Sequence, residues 1–334
     1  MTLSRLGEFG IIERIKNVQI NQSSDIHISI GDDAAVYKIN SRKWSVITTD
    51  ALVEGVHFDL SYTPVHSVGW KLMAINISDI AAMGGIPRNA VVSIALTKSW
   101  SAKKVDLLAR GIADCCKQYS CDLIGGDTVS SVSNVFLSAT VTGEVEPKCC
   151  IQRSGAKTGD LICVTGVLGR ARAGLDILSS SQRKSRGEKA VNHFLYPKPR
   201  VREAQILAKE VGINAMIDIS DGLASEIHHI CSSSKKGCII YGNKIPAAKE
   251  LEILSYKEKK PLFFYAMKSG EEYELLFTIS ENNFEKLKKN KIFKNNLISV
   301  IGKISNKEDG MQLLDDDKKM SLPTSGWDHF KKNQ

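Results

Sequence analysis

The chain has 334 residues, and its 45 Lys and Arg residues against 37 Asp and Glu residues give a formal net charge of +8. This length exceeds the usual size of one compact domain, so we expect two domains. Hydrophobic residues make up 43% and charged residues 25%, a balance that excludes bulk disorder, collagen-like repeats and a coiled-coil rod. Apolar stretches such as residues 89–96 are much shorter than the ~18–20 residues of a membrane-spanning helix, and acidic residues interrupt the first apolar segment, unlike a signal peptide. We therefore expect a soluble, cytoplasmic protein with no membrane partner.

The cysteines and the lysine runs predict no site of their own. The eight cysteines include no CxxC pair and no HxxxH companion, which argues against a zinc ribbon or finger and predicts reduced thiols. Lysine runs such as residues 257–260 lack interleaved aromatic and arginine residues. Such runs are more typical of a solvated surface than of a nucleic-acid interface, so we expect no nucleic-acid partner.

In chain order, the first half alternates predicted strands and helices. Strands are predicted at residues 45–49, 90–96 and 135–145, the last from its alternation of apolar and polar residues. Helices are predicted at residues 65–83 and 102–118. For the first helix, Thr63 is the expected N-cap, Pro64 the first helical residue, and Gly84 and Gly85 the end.

The pattern restarts near Pro147, where we place the boundary between an N-terminal domain, 1–147, and a C-terminal domain, 148–334. Strands are predicted at residues 160–166 and 216–219, and helices at 170–178, 199–211, 223–231 and 283–291. Further elements are expected at residues 237–241, 247–256, 273–279 and 297–301, and the polar residues 182–192 predict a mobile loop. This order indicates two α/β, or α+β, domains.

Aspartates recur at predicted strand ends and turns beside Gly, Ser or Thr. Any single one can be structural, as Asp221 would be if it capped the helix at 223–231. However, most of them follow an apolar strand, and open α/β sheets bind ligands at the carboxyl ends of their strands. Gathered carboxylates repel one another, and Mg²⁺ neutralises them while keeping positions for substrate phosphate oxygens. The set therefore predicts several Mg²⁺ ions and a polyphosphate ligand.

The Gly125-Gly126-Asp127 segment is interpreted as a turn where the backbone can approach a phosphate closely, because glycine has no Cβ. Other phosphate and hydrolase motifs are absent from the sequence. It contains no GxxxxGK[ST] P-loop, no HRD or DFG set, no GxGxxG fingerprint and no GxSxG.

Seven ordered motifs carry a family resemblance. They are GDDAAV (31–36), TTDALVEGVHF (48–58), AINISDIAAMGG (74–85), LIGGDT (123–128), RSGAKTGDLICVTGVLG (153–169), IDISDGL (217–223) and GEEYELLFT (270–278). With the tail GWDHF (326–330), they resemble the thiamine-monophosphate kinase family over nearly the whole chain. The resemblance implies a two-domain fold shared with aminoimidazole ribonucleotide synthetase and selenophosphate synthetase. It also implies a homodimer whose N-terminal domains pair around a barrel-like interface near the ATP. The implied reaction moves the γ-phosphate of ATP onto thiamine monophosphate, giving thiamine diphosphate, as the last step of its biosynthesis, and ADP.

The resemblance also implies residue roles. The magnesium positions are Asp33, Thr48, Thr49, Asp50, Asp79, Asp127, Asp218 and Asp221, of which Asp50, Asp127 and Asp218 are the expected catalytic residues. The ATP positions are Gly125, Gly126, Asp127, Arg153 and Ser220. The substrate positions are His57, Glu271 and Trp327, and K⁺ is a further candidate cation. One departure is Ser269, which stands where family members often have glycine.

The expected chemistry needs no general base, because a phosphate monoester with a second pKa of about 6 is largely deprotonated near pH 7. Positioning and charge neutralisation then provide the catalysis, and we predict direct in-line transfer without a phosphoenzyme. Alternatives from the residues stay open at this stage. His57 and Trp327 could be packing residues, Arg153 a surface residue, and Glu271 a turn cap or the partner of a lysine.

Other functions are also considered. Selenophosphate synthetase is disfavoured because its reactive cysteine lies in the N-terminal segment, whereas the first cysteine here is Cys115. Aminoimidazole ribonucleotide synthetase and a non-catalytic Mg-nucleotide-binding regulator are the remaining alternatives.

Overall fold

The computed structural model of the protein describes residues 3–18, 23–180, 187–290, 297–316, 318–324, 326–327 and 329–330. Within these ranges the strands form two separate mixed sheets, and neither sheet closes into a barrel. None of the helices in the same residues is long and apolar enough to cross a membrane.

The first half of the chain builds a six-stranded sheet. Its elements are α1 (Leu3–Asn17), β1 (Ile26–Ile28), β2 (Ala35–Lys38), β3 (Trp44–Val53), α2 (Val65–Ala82), β4 (Ile86–Thr97), α3 (Ala102–Tyr119), β5 (Asp122–Ser131) and β6 (Phe136–Val145). The strand order is β1-β2-β3-β6-β4-β5, with β5 at one edge. Strands β4 and β5 are parallel, and the other neighbours are antiparallel.

The second half builds a seven-stranded sheet. Its elements are β7 (Leu161–Thr165), α4 (Arg170–Ser179), α5 (Glu188–Leu195), α6 (Val201–Ile206), β8 (Ala215–Asp218), α7 (Leu223–Ser234), β9 (Gly237–Tyr241), α8 (Glu252–Glu258), α9 (Leu262–Lys268), β10 (Leu275–Ile279), α10 (Glu281–Lys289), β11 (Ile298–Ser305), β12 (Met311–Asp315) and β13 (Lys318–Ser321). The strand order is β13-β12-β9-β11-β7-β10-β8, and only the β9–β12 pair is parallel. The domain boundary at 147/148 stays a prediction.

Helix α2 lies at the junction of the two halves. It contacts β3 and β6 of the first sheet, and also β8 and α6 of the second half. Its Trp70 donates a hydrogen bond from Nε1 to the carbonyl oxygen of Pro197 at 2.9 Å. A Cβ at Gly69 would lie 2.2 Å from the carbonyl oxygen of Leu108, so glycine allows the close approach of α2 and α3. Side chains of α2 can therefore reach the ends of strands from both sheets.

The predicted start of α2 is wrong by one residue. The N-cap is Pro64, with an extended backbone, and not Thr63. The hydroxyl of Thr63 is buried without a hydrogen-bond partner among the described residues, while that of Ser67 donates to the carbonyl oxygen of Pro64 at 2.7 Å. The predicted end is confirmed, because Gly84 follows the helix with a φ of 72°.

Other differences follow from strand and turn geometry. The Gly125-Gly126-Asp127 segment is not a turn but the middle of β5. The predicted loop 182–192 is wrong for residues 188–192, which belong to α5, and residues 182–186 lie outside the described residues. The predicted helix 199–211 continues after α6 as a π-helical turn, Leu207–Val211. The element predicted from residue 273 begins at Leu275.

Candidate functional site

Three aspartates from separate elements meet beside the junction. Asp33 precedes β2, Asp79 lies on α2, and Asp218 ends β8. Each offers a carboxylate oxygen, and these oxygens all lie within 4.8 Å of one another. One oxygen of Asp33, Oδ2, is buried and has no hydrogen-bond partner among the described residues. The acidic cluster, defined as Asp33, Asp79 and Asp218, is therefore a candidate site for a hard cation.

Strand β3 lies beside the acidic cluster and directs alternate side chains towards it. The hydroxyl of Thr48 donates to Oδ2 of Asp79 at 2.6 Å. Two residues further along, Asp50 hydrogen-bonds to Asp79 through its side chain, and its backbone N–H donates to Oδ1 of Asn76 at 3.0 Å. Because side chains alternate in a strand, Thr49 turns to the opposite face, where its hydroxyl donates to the carbonyl oxygen of Ala139 at 3.1 Å.

Burial dominates the electrostatics of these carboxyls. Burial, followed by the negative charge of Asp33, raises the pKa of Asp218 to about 8. Burial is also the largest cause that raises the pKa of Asp50 to about 6, and the charges of Glu8 and Asp33 contribute to this rise. Burial, followed by the charges of Asp50 and Asp218, also raises the pKa of Asp79 well above its ordinary value. The hydroxyl of Ser78 donates to Oδ2 of Asp218 at 2.5 Å and opposes the shift. Without a bound cation, these carboxyls together therefore retain protons near neutral pH.

The cationic side chain of Arg153 hydrogen-bonds to the acidic cluster. Its guanidinium donates to Oδ1 of Asp33 from Nη2 at 2.5 Å and from Nε at 3.1 Å. Its backbone N–H faces both carboxylate oxygens of Asp32 at 3.3 Å. Burial, followed by the charge of Asp33, raises the pKa of Asp32 to about 7. Arg153 is therefore tied to the acidic loop and is not a free surface residue.

The segment after β8 follows directly on Asp218 of the acidic cluster. Asp221 does not cap α7, because the N-cap is Gly222 and no side chain caps that helix. The backbone N–H of Asp221 donates to Oε1 of Glu226 at 3.0 Å. Burial, followed by the charge of Asp221, raises the pKa of Glu226 well above its ordinary value. The carbonyl oxygen of Ser220 accepts from the backbone N–H of Glu271 at 2.7 Å.

The three predicted substrate residues lie in one region next to the cluster. The rings of His57 and His329 have centroids 5.0 Å apart, and Trp327 Nε1 donates to His329 Nδ1 at 3.3 Å. The backbone N–H of Trp327 donates to the carbonyl oxygen of Asp221 at 3.2 Å. Burial and then His329 lower the pKa of His57, while Glu271 raises it. We call His57, Glu271, Trp327 and His329 the ring region.

The predicted nucleotide residues of β5 are not brought to the acidic cluster within this chain. Gly125, Gly126 and Asp127 are exposed on the edge strand, which β4 and β6 separate from β3. Neighbouring strands are about 4.8 Å apart, so Asp127 lies on the order of 14 Å from its row partner Ala51 on β3. Asp127 also shares a row with Ala51 rather than with Asp50, which places it on the sheet face opposite to the cluster.

Several residues of the site were missed by sequence reasoning. Asp32, Asn76 and Glu226 accept hydrogen bonds from the backbone N–H groups of predicted aspartates, and the hydroxyl of Ser78 donates to Asp218. Asp32 and Ser78 stand within the motifs GDDAAV and AINISDIAAMGG, so their position beside a predicted ligand is a signal that could have found them. Glu226 lies on a helix outside the motifs, and no local signal separates it from a solvated acid.

Two family descriptions match the chain, those of the AIR synthase related protein N-terminal domain over residues 31–145 and C-terminal domain over residues 157–312. The thiamine-monophosphate kinase of Buchnera aphidicola subsp. Schizaphis graminum is 40% identical, with 97% of this chain and 98% of the relative covered. That of Bacillus subtilis strain 168 is 34% identical, with 98% and 100% covered. A solved structure described as AaThiL complexed with AMPPCP and TMP has a TM-score of 0.85 at 33% identity and covers 98% of this chain and 99% of its own. The chain therefore belongs to the thiamine-monophosphate kinase family of AIR synthase related proteins, as its motif order predicts.

Proposed function

We propose that this protein transfers the γ-phosphate of ATP directly onto thiamine monophosphate, giving thiamine diphosphate and ADP. The observation that carries the proposal is the acidic cluster beside the ring region, in a chain that belongs to the thiamine-monophosphate kinase family. The carboxylates suit a polyphosphate with its cations, and the aromatic and acidic groups suit the flat, cationic thiamine ring system. The solved relative with AMPPCP and TMP supports the same pair of substrates.

The residues present fit Mg²⁺. The acidic cluster supplies hard oxygen ligands, its carboxyls resist ionisation without a cation, and Asp33 Oδ2 lacks a partner among the described residues. Asp33, Asp79 and Asp218 would hold the ion, with Thr48 and Asp50 beside them. When bound, Mg²⁺ neutralises phosphate charge during the transfer. Asp221 and Thr49 remain proposed ligands for further ions, and K⁺ remains a candidate cation.

The chain's own residues position the two charged substrates. Arg153 holds the Asp32–Asp33 loop and presents a guanidinium suited to a phosphate, and Ser220 follows two residues after Asp218 of the acidic cluster. Because the acceptor phosphate is already largely a dianion near pH 7, no residue has to remove a proton from it. The main barrier is the approach of two anions, so catalysis comes from orientation and charge neutralisation without a covalent intermediate.

A homodimer through β5 is part of the proposal. The edge strand exposes Leu123, Ile124 and Val129, which are 49%, 65% and 53% exposed. An apolar, unpaired edge strand favours pairing with another strand, and a second copy of β5 is the natural partner. Such pairing would give Gly125, Gly126 and Asp127 a role at an interfacial nucleotide site. Sedimentation of the wild-type protein and of Ile124→Glu tests it, since a wild-type monomer at micromolar concentration would contradict the dimer.

The decisive experiment incubates purified protein with Mg-ATP and thiamine monophosphate and follows thiamine diphosphate and ADP together by chromatography. Equal amounts of both products, lost with EDTA or in Asp127→Asn, are expected. ADP formed without thiamine diphosphate would support the nucleotide site but contradict thiamine monophosphate as the acceptor. If neither thiamine diphosphate nor ADP forms, the result would favour the non-catalytic nucleotide-binding regulator. A labelled phosphoprotein formed with ATP alone would refute direct transfer. The cytoplasmic location stays a prediction.

A further inference from the structure

The segment that carries Glu271, residues 269–274, directs alternate side chains to opposite sides. Glu272 and Glu274 are 1% and 2% exposed and turn into the second half of the chain. Oε1 of Glu272 accepts hydrogen bonds from the backbone N–H groups of Gly169 and Ala171 at 2.7 and 3.2 Å. Two buried carboxylates therefore anchor the segment, and Glu271 and Tyr273 are left to face the junction.

Further bonds complete both anchors. Oε1 of Glu272 also accepts from the hydroxyl of Ser269 at 2.5 Å, so the residue in place of the family glycine adds a contact to this anchor. Glu274 accepts from Arg200 through both carboxylate oxygens, at 2.5 and 2.6 Å. Bidentate pairing of this kind fixes orientation as well as distance.

The backbone between the anchors adopts a conformation that side chains rarely take. Glu271 has a φ of 58° and Tyr273 a φ of 51°. Left-handed backbone at bulky residues persists where surrounding contacts impose it, and such sites often coincide with function. Here the contacts are the buried anchors on either side. The local backbone therefore commits the Glu271 carboxylate to one direction.

A lysine from the other half of the chain meets that carboxylate. Lys71 on α2 is 3% exposed, and its Nζ lies 3.1 Å from Oε2 of Glu271. The same ammonium lies 3.7 Å from the ring centroid of Phe194 on α5. The Glu271 side chain stays 29% exposed, and its charge acts on His57 of the ring region. The buried ammonium of Lys71 thus contacts one oxygen of the Glu271 carboxylate, and the exposed part of the side chain stays accessible to a ligand.

We propose that Lys71 is a positioning residue for the acceptor: it holds the Glu271 carboxylate aimed at the amine-bearing ring of thiamine monophosphate. This role rests on the proposed function, since it assigns Glu271 to that substrate. Lys71 acts through Glu271 and does not touch the phosphates. Loss of Lys71 should therefore weaken binding of thiamine monophosphate and leave binding of ATP unchanged.

A double-mutant cycle tests the role with Lys71→Met, Glu271→Gln and the combined variant. We expect each single variant to raise the Kd for thiamine monophosphate by roughly tenfold, as for a lost charge-assisted hydrogen bond. Because Lys71 acts through Glu271, the combined variant should bind no worse than Glu271→Gln alone. Lys71→Arg should recover part of the affinity. The KM for ATP should stay at the wild-type value in all four variants.

Controls separate this role from general support of the fold. Lys303→Met removes an exposed pair with Glu281 at 2.8 Å and should change neither Kd nor KM. If Lys71→Met does not fold, Lys71→Arg carries the test, and a raised Kd for thiamine monophosphate alone supports the role. Unchanged affinity in a folded Lys71→Met, or losses that multiply in the combined variant, would overturn it. Wild-type protein that fails to bind thiamine monophosphate would refute the proposed function itself.

Discussion

Asp218→Asn should make the metal-free protein more stable while abolishing transfer. The substitution replaces a buried carboxyl by an amide of nearly the same shape, and the hydroxyl of Ser78 can still donate to the amide oxygen. Burial, followed by the charge of Asp33, raises the pKa of Asp218 from 3.8 to about 8. The unfolded chain therefore loses this proton at much lower pH than the folded protein.

The sign and size follow from proton linkage. Since the folded pKa is the higher one, the stabilising contribution is complete below pH ~4 and is lost as pH rises towards about 8, at about 1.4 kcal/mol per pH unit. At pH 7 this lowers the free energy of unfolding by about 4 kcal/mol, which is an upper value because neighbouring carboxyls share the protons. We expect Asp218→Asn to be more stable than wild type by on the order of 2–4 kcal/mol at pH 7, and by much less at pH 5.

Thermal unfolding in EDTA at pH 5, 6, 7 and 8 measures this difference. The Tm of the variant should exceed that of wild type by an amount that grows with pH, at about 2–4 °C per kcal/mol. Mg²⁺ should raise the Tm of wild type and reduce the gap. Asp160→Asn is the control, because Asp160 is equally buried but accepts bonds from Asn214 at 2.8 and 3.0 Å, so its loss should destabilise. An Asp218→Asn variant less stable at every pH, or a gap independent of pH, would refute the reasoning.

Three further predictions concern the scaffold. Gly111→Ala would place a Cβ 1.9 Å from the carbonyl oxygen of His66, so we expect the free energy of unfolding, measured with urea, to fall by about 3 kcal/mol or more. A fall below about 1 kcal/mol would contradict this close crossing of α2 and α3. Arg200→Met leaves the buried Glu274 carboxylate without its cation and should cost about 3–5 kcal/mol by the same assay; unchanged stability would argue against the pair. Burial lowers the pKa of His229 from 6.5 to about 4, so its stabilising contribution is complete above pH ~6.5 and is lost as pH falls towards 4. His229→Gln should show a shallower fall of Tm across that window, and parallel curves would contradict the shift.

The sequence by itself identified the family and named all three aspartates of the acidic cluster. Those residues stand in local motifs whose order along this chain indicated the family, and relatives at up to 40% identity over nearly the whole chain confirm that family. Alternating apolar residues likewise predicted β6, and Gly84 predicted the end of α2. The two-domain fold is confirmed by the same comparisons, whereas roles of single site residues stay predictions.

Only the tertiary structure decided which residues meet. A period of two assigns Thr48 and Asp50 to one face of β3 and Thr49 to the other, but packing of α2 determines which face is the site. The Gly125-Gly126 pair reads locally as a turn because glycine is rare in strands, yet ladder bonds to β4 hold it extended. Lys71 and Glu271 are 200 positions apart, and their contact depends on two anchors that hold a left-handed backbone. Local pattern encodes the residue types of this site, and long-range packing, which no short window contains, selects their partners and directions.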